Sequence, residues 1–366
     1  MRRRVAAALV FLLTLATAPA VAHARVLVGI GDQKPAMFGD ARFRWLGVRQ
    51  ARIVVSWDVQ RSTVEQRWVA AWLDAARAAG VEPLVAFGHA WSGPRRRYLP
   101  GTGEFAAAFA RFRRAYPWVR EYTAWNEANH CSQPTCRRPD KAAAYYDAVK
   151  DACPGCTVVA ADVLDQPNMA SWIRAFTAAA RHAPRLWGLH NYLDANRLRT
   201  SGTRHLLRVV RGQVWITETG GLVRRNHYRA QIAFPESASH AATVTRFVLQ
   251  VADRQPRIRR VYLYQWNADS LFQAWDSGLI DPFGHRRPAF DVLARHAGRD
   301  PRGAPADPVF TEPAEPPPAS EQPPPSQGGP PPQDPQQPPP QNPPPQDPPP
   351  PSCTLPPPLC PGLLPG

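Results

Sequence analysis

Two glutamates stand in settings that suit bond cleavage. Glu127 ends the run Trp125-Asn126-Glu127, and Glu218 lies within Ile216-Thr217-Glu218-Thr219-Gly220, 91 residues further on. Paired carboxylates facing each other across a cleft can break a glycosidic bond. One protonates the leaving oxygen, and the other serves as nucleophile or as base. A separation of about 5–5.5 Å gives retention at the anomeric carbon, and about 6.5–9.5 Å gives inversion. Such chemistry also needs polar groups to hold sugar hydroxyls and aromatic rings to stack against the sugar. Arg52, His89, Trp91, Asn126, His190, Tyr192 and Trp266 are the candidates. His190 and Tyr192 alternate by two, which predicts a shared strand face. Neither His190 nor its sequence neighbours show a His/carboxylate spacing typical of metal ligands, so the chemistry is read as needing no metal or organic cofactor. Asp58, Asp162 and Asp269 read as loop solvation or capping residues.

The elements that must position these groups alternate. Short β-rich apolar runs occur at 26–30, 51–57, 83–87, 119–125, 157–161, 186–192, 214–217 and 261–266. Helical patterns lie between most of them. Ser62 and Glu65 form a capping box for a helix ending near Gly80, with Trp68, Trp72 and Ala76 on one face. Phe105, Phe109 and Phe112 repeat at helical spacing, as do Trp172 with Phe176 and Val244 with Phe247, Val248 and Val251. Residues 32–47 lack a clean helical period. Eight strands alternating with helices predict an α/β fold, a (β/α)8 TIM barrel over residues 25–298. Barrel chemistry sits at the C-terminal strand ends, where the candidates fall apart from Arg52, which lies within the second strand. Gly29-x-Gly31 is followed by Lys34 rather than a third glycine, which argues against a dinucleotide fold.

The motifs together resemble the glycoside hydrolase clan A barrels, with the nearest similarity to families 39 and 5. Trp125-Asn126-Glu127 resembles the clan's fourth-strand motif, and Ile216–Gly220 its seventh-strand segment. Arg52, His190, Tyr192 and Trp266 stand where the clan has its second-strand Arg, sixth-strand His-x-Tyr and eighth-strand Trp. Gly278-Leu279-Ile280-Asp281 and Arg287-Pro288-Ala289-Phe290 resemble its closing segment. The resemblance implies a retaining enzyme in which Glu218 is the nucleophile, Glu127 the acid/base and Asn126 the holder of the sugar 2-hydroxyl. Ala128 departs from the clan, which has Pro there, and this puts the stiffness of the acid/base turn in question. The loop around Cys131 and Cys136 is a candidate to restore it.

The flanks differ from the body. Arg2, Arg3 and Arg4 precede an apolar stretch too short to span a bilayer and an Ala22-His23-Ala24 cleavage site, so residues 1–24 read as a signal peptide, with an uncleaved anchor as the rival. Of 44 prolines, 29 fall in residues 301–366, so 299–366 reads as a disordered Pro-rich spacer that could reach the cell wall. Six cysteines in an exported chain predict the disulfides Cys131–Cys136, Cys153–Cys156 and Cys353–Cys360, with a zinc site from the first two pairs as the alternative.

The net charge is +15, and residues 25–300 carry +17. All but three of the 44 basic residues are Arg, which points to a GC-rich bacterial genome. No basic block reaches six residues, so nucleic acid is not the expected partner. The expectation is a secreted, monomeric, retaining glycoside hydrolase acting on a carbohydrate. A non-catalytic carbohydrate-binding barrel is the alternative.

Overall fold

The computed structural model describes residues 25–91, 93–225, 233–271 and 273–308. The expected signal peptide, Cys353, Cys360 and the Pro-rich tail from 309 onward lie outside the described residues.

Nine strands form one parallel sheet: β1 (Leu27–Gly31), β2 (Gln50–Ser56), β3 (Glu82–Gly88), β4 (Glu121–Thr123), β5 (Thr157–Val159), β6 (Asp162–Leu164), β7 (Leu186–His190), β8 (Gln213–Thr219) and, after a two-residue strand β9 (Arg224–Arg225), β10 (Ile258–Tyr264). Their order is β5-β4-β3-β2-β1-β10-β8-β7-β6. The end strands β5 and β6 are halves of one chain segment, interrupted only at Ala160-Ala161. The first half pairs with β4 and the second with β7. Ala160 N–H donates to Leu186 O (2.9 Å), and Asp162 N–H donates to Trp125 O (3.0 Å), carrying the ladder across the break. The sheet therefore curls into a nearly closed barrel, and the predicted TIM barrel is present. The fifth of the eight predicted strands is the one that splits, and the fourth is shorter than its apolar run.

The helices follow the sequence pattern. In α1 (Ala41–Leu46), Asp40 accepts from Arg42 N–H and Gly47 ends the turn with φ +71°, so residues 32–47 hold only this helix and a 3-10 turn at Pro35–Gly39. The long helices are α2 (Thr63–Ala78), α3 (Thr102–Ala115), α4 (Pro139–Ala152), α5 (Met169–Ala179) and, after α6 (Tyr192–Asn196) and α7 (Ser201–Val209), α8 (Ala238–Arg254) and α9 (Pro288–His296). Ser62 caps α2 by accepting from Glu65 N–H (3.2 Å). The reciprocal half of the predicted capping box is absent, because the Glu65 carboxylate accepts from Ser56 Oγ at the end of β2 instead. Phe105, Phe109 and Phe112 of α3 are buried as predicted, and all three pack edge-on against Phe87 of β3. This helix-to-sheet layer is the main core.

The barrel interior is separate and smaller. Leu84, Val159, Trp215 and Tyr262 form an apolar plug. Beside it Arg260 lies over the Trp215 ring at 4.0 Å and donates to Glu121 Oε1 (2.9 Å). The polar groups described below occupy the open, C-terminal end. The ordered body also extends past 298. Asp307 accepts from Arg42 Nη1 (2.8 Å) and Arg286 Nε (3.0 Å), fastening the residues after α9 to the barrel.

Two disulfides match the predicted pairing, Cys131–Cys136 in the loop after β4 and Cys153–Cys156 in the turn between α4 and β5. The loops are at opposite ends of the barrel, and each pair is closed on itself, so the shared zinc reading fails. A two-stranded ribbon joins β9 to β11 (Trp275–Asp276) beside the barrel mouth.

Candidate active site

Arg52 organises the site from the middle of β2. The residue is 2% exposed. Nη1 donates to Glu218 Oε2 (2.7 Å), and Nη2 donates to Asn126 Oδ1 (2.6 Å) and Asp162 Oδ2 (2.7 Å). One cation thus ties together the ends of the fourth, fifth and seventh barrel strands. Burial opposes its charge, but Asp162 and Glu218 more than compensate and raise its pKa above the usual arginine value.

Asp162 is the buried anion beneath it. Besides Arg52 it accepts from Thr217 Oγ1 (2.6 Å) and Thr123 Oγ1 (3.4 Å). Burial would raise its pKa, but Arg52, His190 and Thr217 bring it to about 2. The site needs glycine at 188 in β7, because a Cβ there would lie 1.9 Å from Asp162 Oδ1.

Glu127 lies in the turn after β4 with φ +46°, a left-handed conformation that costs a non-glycine residue energy and is held only when the surroundings enforce it. The flanking amides provide that enforcement. Asn126 N–H donates to Phe87 O (2.6 Å), and Ala128 N–H donates to Asp162 O (2.9 Å). A proline at 128 would lack this second donor. The departure at Ala128 therefore exchanges a stiff ring for a hydrogen bond to the fifth strand. Ala128 is fully buried, and its carbonyl accepts from Thr135 Oγ1 (2.9 Å) inside the Cys131–Cys136 loop.

His190, at the end of β7, places Nδ1 3.1 Å from Glu127 Oε1 and Nε2 3.7 Å from Asp162 Oδ2. Burial disfavours its charge, but Glu218, Asp162 and Glu127 outweigh both burial and nearby Arg52, and its pKa rises to about 9. Burial would likewise raise the pKa of Glu127, but the hydrogen bond and charge of His190 hold it below the ordinary glutamate value. Tyr192 Oη donates to Glu218 Oε1 (3.1 Å), so both oxygens of Glu218 are held by donors.

One carboxylate oxygen of Glu127, one of Glu218 and a ring nitrogen of His190 all lie within 4.8 Å of one another. Three such atoms could in principle hold a cation, a grouping that sequence spacing alone did not show. Arg52 on Glu218 and a proton on His190 already supply positive charge there.

The glycosyl hydrolase catalytic core model matches residues 99–284, just over half of the chain. The chain belongs to this family. No curated protein matches the sequence. Solved structures share the fold at low identity. A family 128 endo-β-1,3-glucanase from Amycolatopsis mediterranei is 14% identical with a TM-score of 0.52, covering 74% of this chain and 99% of its own. Xylanase 10B from Thermotoga maritima is 11% identical at 0.51, covering 75% and 95%. A family 113 β-1,4-mannanase is 13% identical at 0.50, covering 75% and 99%.

Within this glycosyl hydrolase core the sequence candidates separate into two groups. Arg52, Asn126, Glu127, His190, Tyr192 and Glu218 come together. His89 stays near them, half-buried, with Nδ1 2.8 Å from its neighbour's Ala90 O. Burial lowers its pKa and Arg96 adds to this, against Ala90 and the charge of Glu127. Trp266 is elsewhere. It is 1% exposed, packs against Phe43 and Phe290, and donates from Nε1 to Asp40 Oδ2 (3.1 Å). The expected stacking surface is not offered there. Trp91 is also buried, against Trp68 (ring centroids 4.7 Å apart).

Two expectations about polar residues also change. Tyr192 reaches Glu218 from the first turn of α6, not from a strand face shared with His190. Asp162 is not a loop residue but the buried partner of Arg52, while Asp58 and Asp269 do pair at the rim, with Arg95 and Lys34 at 2.7 Å each. Sequence reasoning also missed Tyr264, at the end of β10. Burial raises its pKa well above the ordinary value, with the charge of Glu218 the next contribution. Strand periodicity gave no warning, since residues two apart share a face and β10 ends at Tyr264, before Trp266.

Proposed function

We propose that this chain is an exported retaining glycoside hydrolase that cleaves an O-glycosidic bond of a poly- or oligosaccharide by double displacement. The observation that carries the reading is the spacing of Glu127 and Glu218, with oxygens within 4.8 Å of each other. With one oxygen of each acid this near the other, the pair is closer in scale to the roughly 5–5.5 Å of retaining carboxyls than to the roughly 6.5–9.5 Å that leaves room for an inverting water.

In the first step Glu218 attacks the anomeric carbon while Glu127 protonates the departing oxygen. Arg52 and Tyr192 orient the Glu218 carboxylate. Glu127 needs a proton for this role, yet the free site holds its pKa low. His190 is the reservoir. Its Nδ1 lies 3.1 Å from Glu127 Oε1, close enough to hand over a proton, and the Glu127 side chain is still 24% exposed. A sugar covering that carboxylate removes water from it and raises the cost of its charge. The proton then passes from His190 to Glu127 and on to the leaving oxygen. In the second step water gives a proton to Glu127 and attacks the glycosyl–Glu218 ester, releasing the sugar and freeing the Glu218 carboxylate; once the sugar leaves, the proton returns from Glu127 to His190 and the starting state is restored. The Asn126 amide nitrogen has no protein partner among the described residues and is the donor for a sugar hydroxyl.

Export is supported by the N-terminal Arg2–Arg4 with its apolar stretch and by the two disulfides. Among the described residues no helix is long and apolar enough to cross a membrane. The test counts reducing ends released from β-1,3-glucan, β-mannan, xylan and polygalacturonate by the wild type, Glu127→Ala and Glu218→Ala. Proton NMR of the first-formed anomer distinguishes retention from inversion. Binding without release by the wild type would overturn the enzyme reading in favour of a carbohydrate-binding barrel.

A further inference from the structure

Trp266 and Trp91 are buried, so a sugar ring held between the two acids needs another aromatic wall. The chain has twelve tryptophans, all at described positions, and eight are buried. Of the half-buried four, Trp45 stacks on Phe290, Trp68 packs on Trp91, and Trp118 lies under Arg77. The fourth, Trp275, is beside the acid pair. Its ring centroid is 4.9 Å from that of Tyr192, whose hydroxyl bonds Glu218. The two rings are inclined at 76°, so Tyr192 cannot cover both faces of the indole.

The surroundings fix this indole rather than let it swing. Its Nε1 donates to Ser277 Oγ (3.2 Å), and Ser277 Oγ donates to Tyr264 O (2.5 Å). Trp275 pairs with Arg225 in the β9–β11 ribbon. The next residue, Asp276, accepts two bonds from Arg287 (2.6 and 2.7 Å), and its carbonyl accepts from Val223 N–H (2.8 Å). With its one N–H already used, what the exposed part of the indole offers is an apolar π surface. Pyranose rings present patches of C–H groups that match such a surface, and a rigid ring loses little entropy on contact.

The geometry points to Trp275 as the stacking platform for the sugar ring beside Glu218, and so as a residue that selects substrates with an unobstructed C–H face. This rests on Glu127 and Glu218 being the reacting acids. It concerns the ribbon after the seventh and eighth barrel strands rather than the strand ends themselves.

The experiment uses hexasaccharides of β-1,4-mannan, β-1,4-xylan, β-1,3-glucan and α-1,4-galacturonan, titrated calorimetrically into the full chain carrying Glu218→Gln, with and without Trp275→Ala. At least one hexasaccharide is expected to bind, about tenfold more weakly when Trp275 is Ala, a difference of about 1.4 kcal/mol. Trp275→Phe is expected to stay within about threefold, since it keeps an aromatic face. A second readout leaves Trp275 in place. N-bromosuccinimide oxidation of the same Glu218→Gln protein, mapped by peptide mass, should slow at Trp275 when the binding hexasaccharide is saturating. Unchanged affinity in the Ala variant, an unprotected Trp275, or no binding of any hexasaccharide overturns the platform. Trp275-dependent binding with no wild-type cleavage supports the platform and overturns the hydrolase reading. Cleavage with Trp275-independent binding does the reverse.

Discussion

Arg52 Nη2 lies 2.7 Å from Asp162 Oδ2, and both side chains are almost without solvent. Removing the anion leaves a buried guanidinium with only Glu218 as its charge partner. Asp162→Asn is expected to destabilise the fold by about 3–5 kcal/mol, the usual result of breaking a buried pair from one side. It should also lower the pKa of His190, which Asp162 helps to raise. Urea unfolding and NMR titration of the His190 ring read the two effects. A variant of wild-type stability with an unmoved histidine would refute the central role given to this pair.

The titrations predict a stability profile with a sign. His190 rises from 6.5 to about 9 on folding, so its contribution is complete below pH 6.5 and is lost as pH climbs through 9. Asp165, buried near Asp194, is raised from 3.8 to about 7, by burial first and then by the charge of Asp194, so its contribution is complete below pH 3.8 and is lost as pH climbs from there through 7. Asp162 is lowered to about 2, and its contribution is present above 3.8 and lost as pH falls toward 2. Stability should therefore peak at about pH 4 and decline from there to about pH 9, first through Asp165 and then through His190. His190 accounts for about 3 kcal/mol of that decline. Urea midpoints across this range are the measurement, and His190→Gln should visibly flatten the alkaline limb.

Trp266 should behave as a core residue. Trp266→Ala is expected to cost about 3–5 kcal/mol in stability through the cavity it leaves. Trp266→Phe, which keeps most of the packing, should leave KM within about twofold of the wild type. A large rise in KM in a stable Phe variant would return Trp266 to the sugar-binding role expected from its sequence position.

The turn carrying Glu127 depends on a hydrogen bond where related motifs have proline. Ala128→Pro removes the N–H that reaches Asp162 O (2.9 Å), and should cost about 1–3 kcal/mol along with some kcat. Replacing both Cys131 and Cys136 by Ser should lower kcat as well, if the disulfide loop buttresses Ala128 through Thr135. Unchanged activity in the double Ser variant would sink that role for the disulfide.

Much of the architecture was legible in the residues. Phe105, Phe109 and Phe112 repeat at the helical period, and the apolar runs around Val54, Val85 and Ile216 mark strands by composition. These signals are local, and a strand declares its C-terminal end by the turn that follows it. That was enough to place Glu127, Glu218, Arg52 and His190 at one end of a barrel. The closing Cys pairs were equally local, since five and three residues separate their members.

What tertiary structure decided is which side chains face one another. Asp162 joins Arg52 across 110 residues, and nothing near either residue announces it. Gly188, unremarkable in sequence, is what leaves room for that carboxylate. At the end of β10 a step of two residues separates Tyr264, the last residue of the strand, from Trp266, inside the packing of α9. The chain turns there, so strand alternation no longer tells inside from outside. The physical reason is common to all three. Periodicity follows from one segment's own backbone, whereas burial and charge pairing depend on how distant segments are brought into register by closure of the barrel.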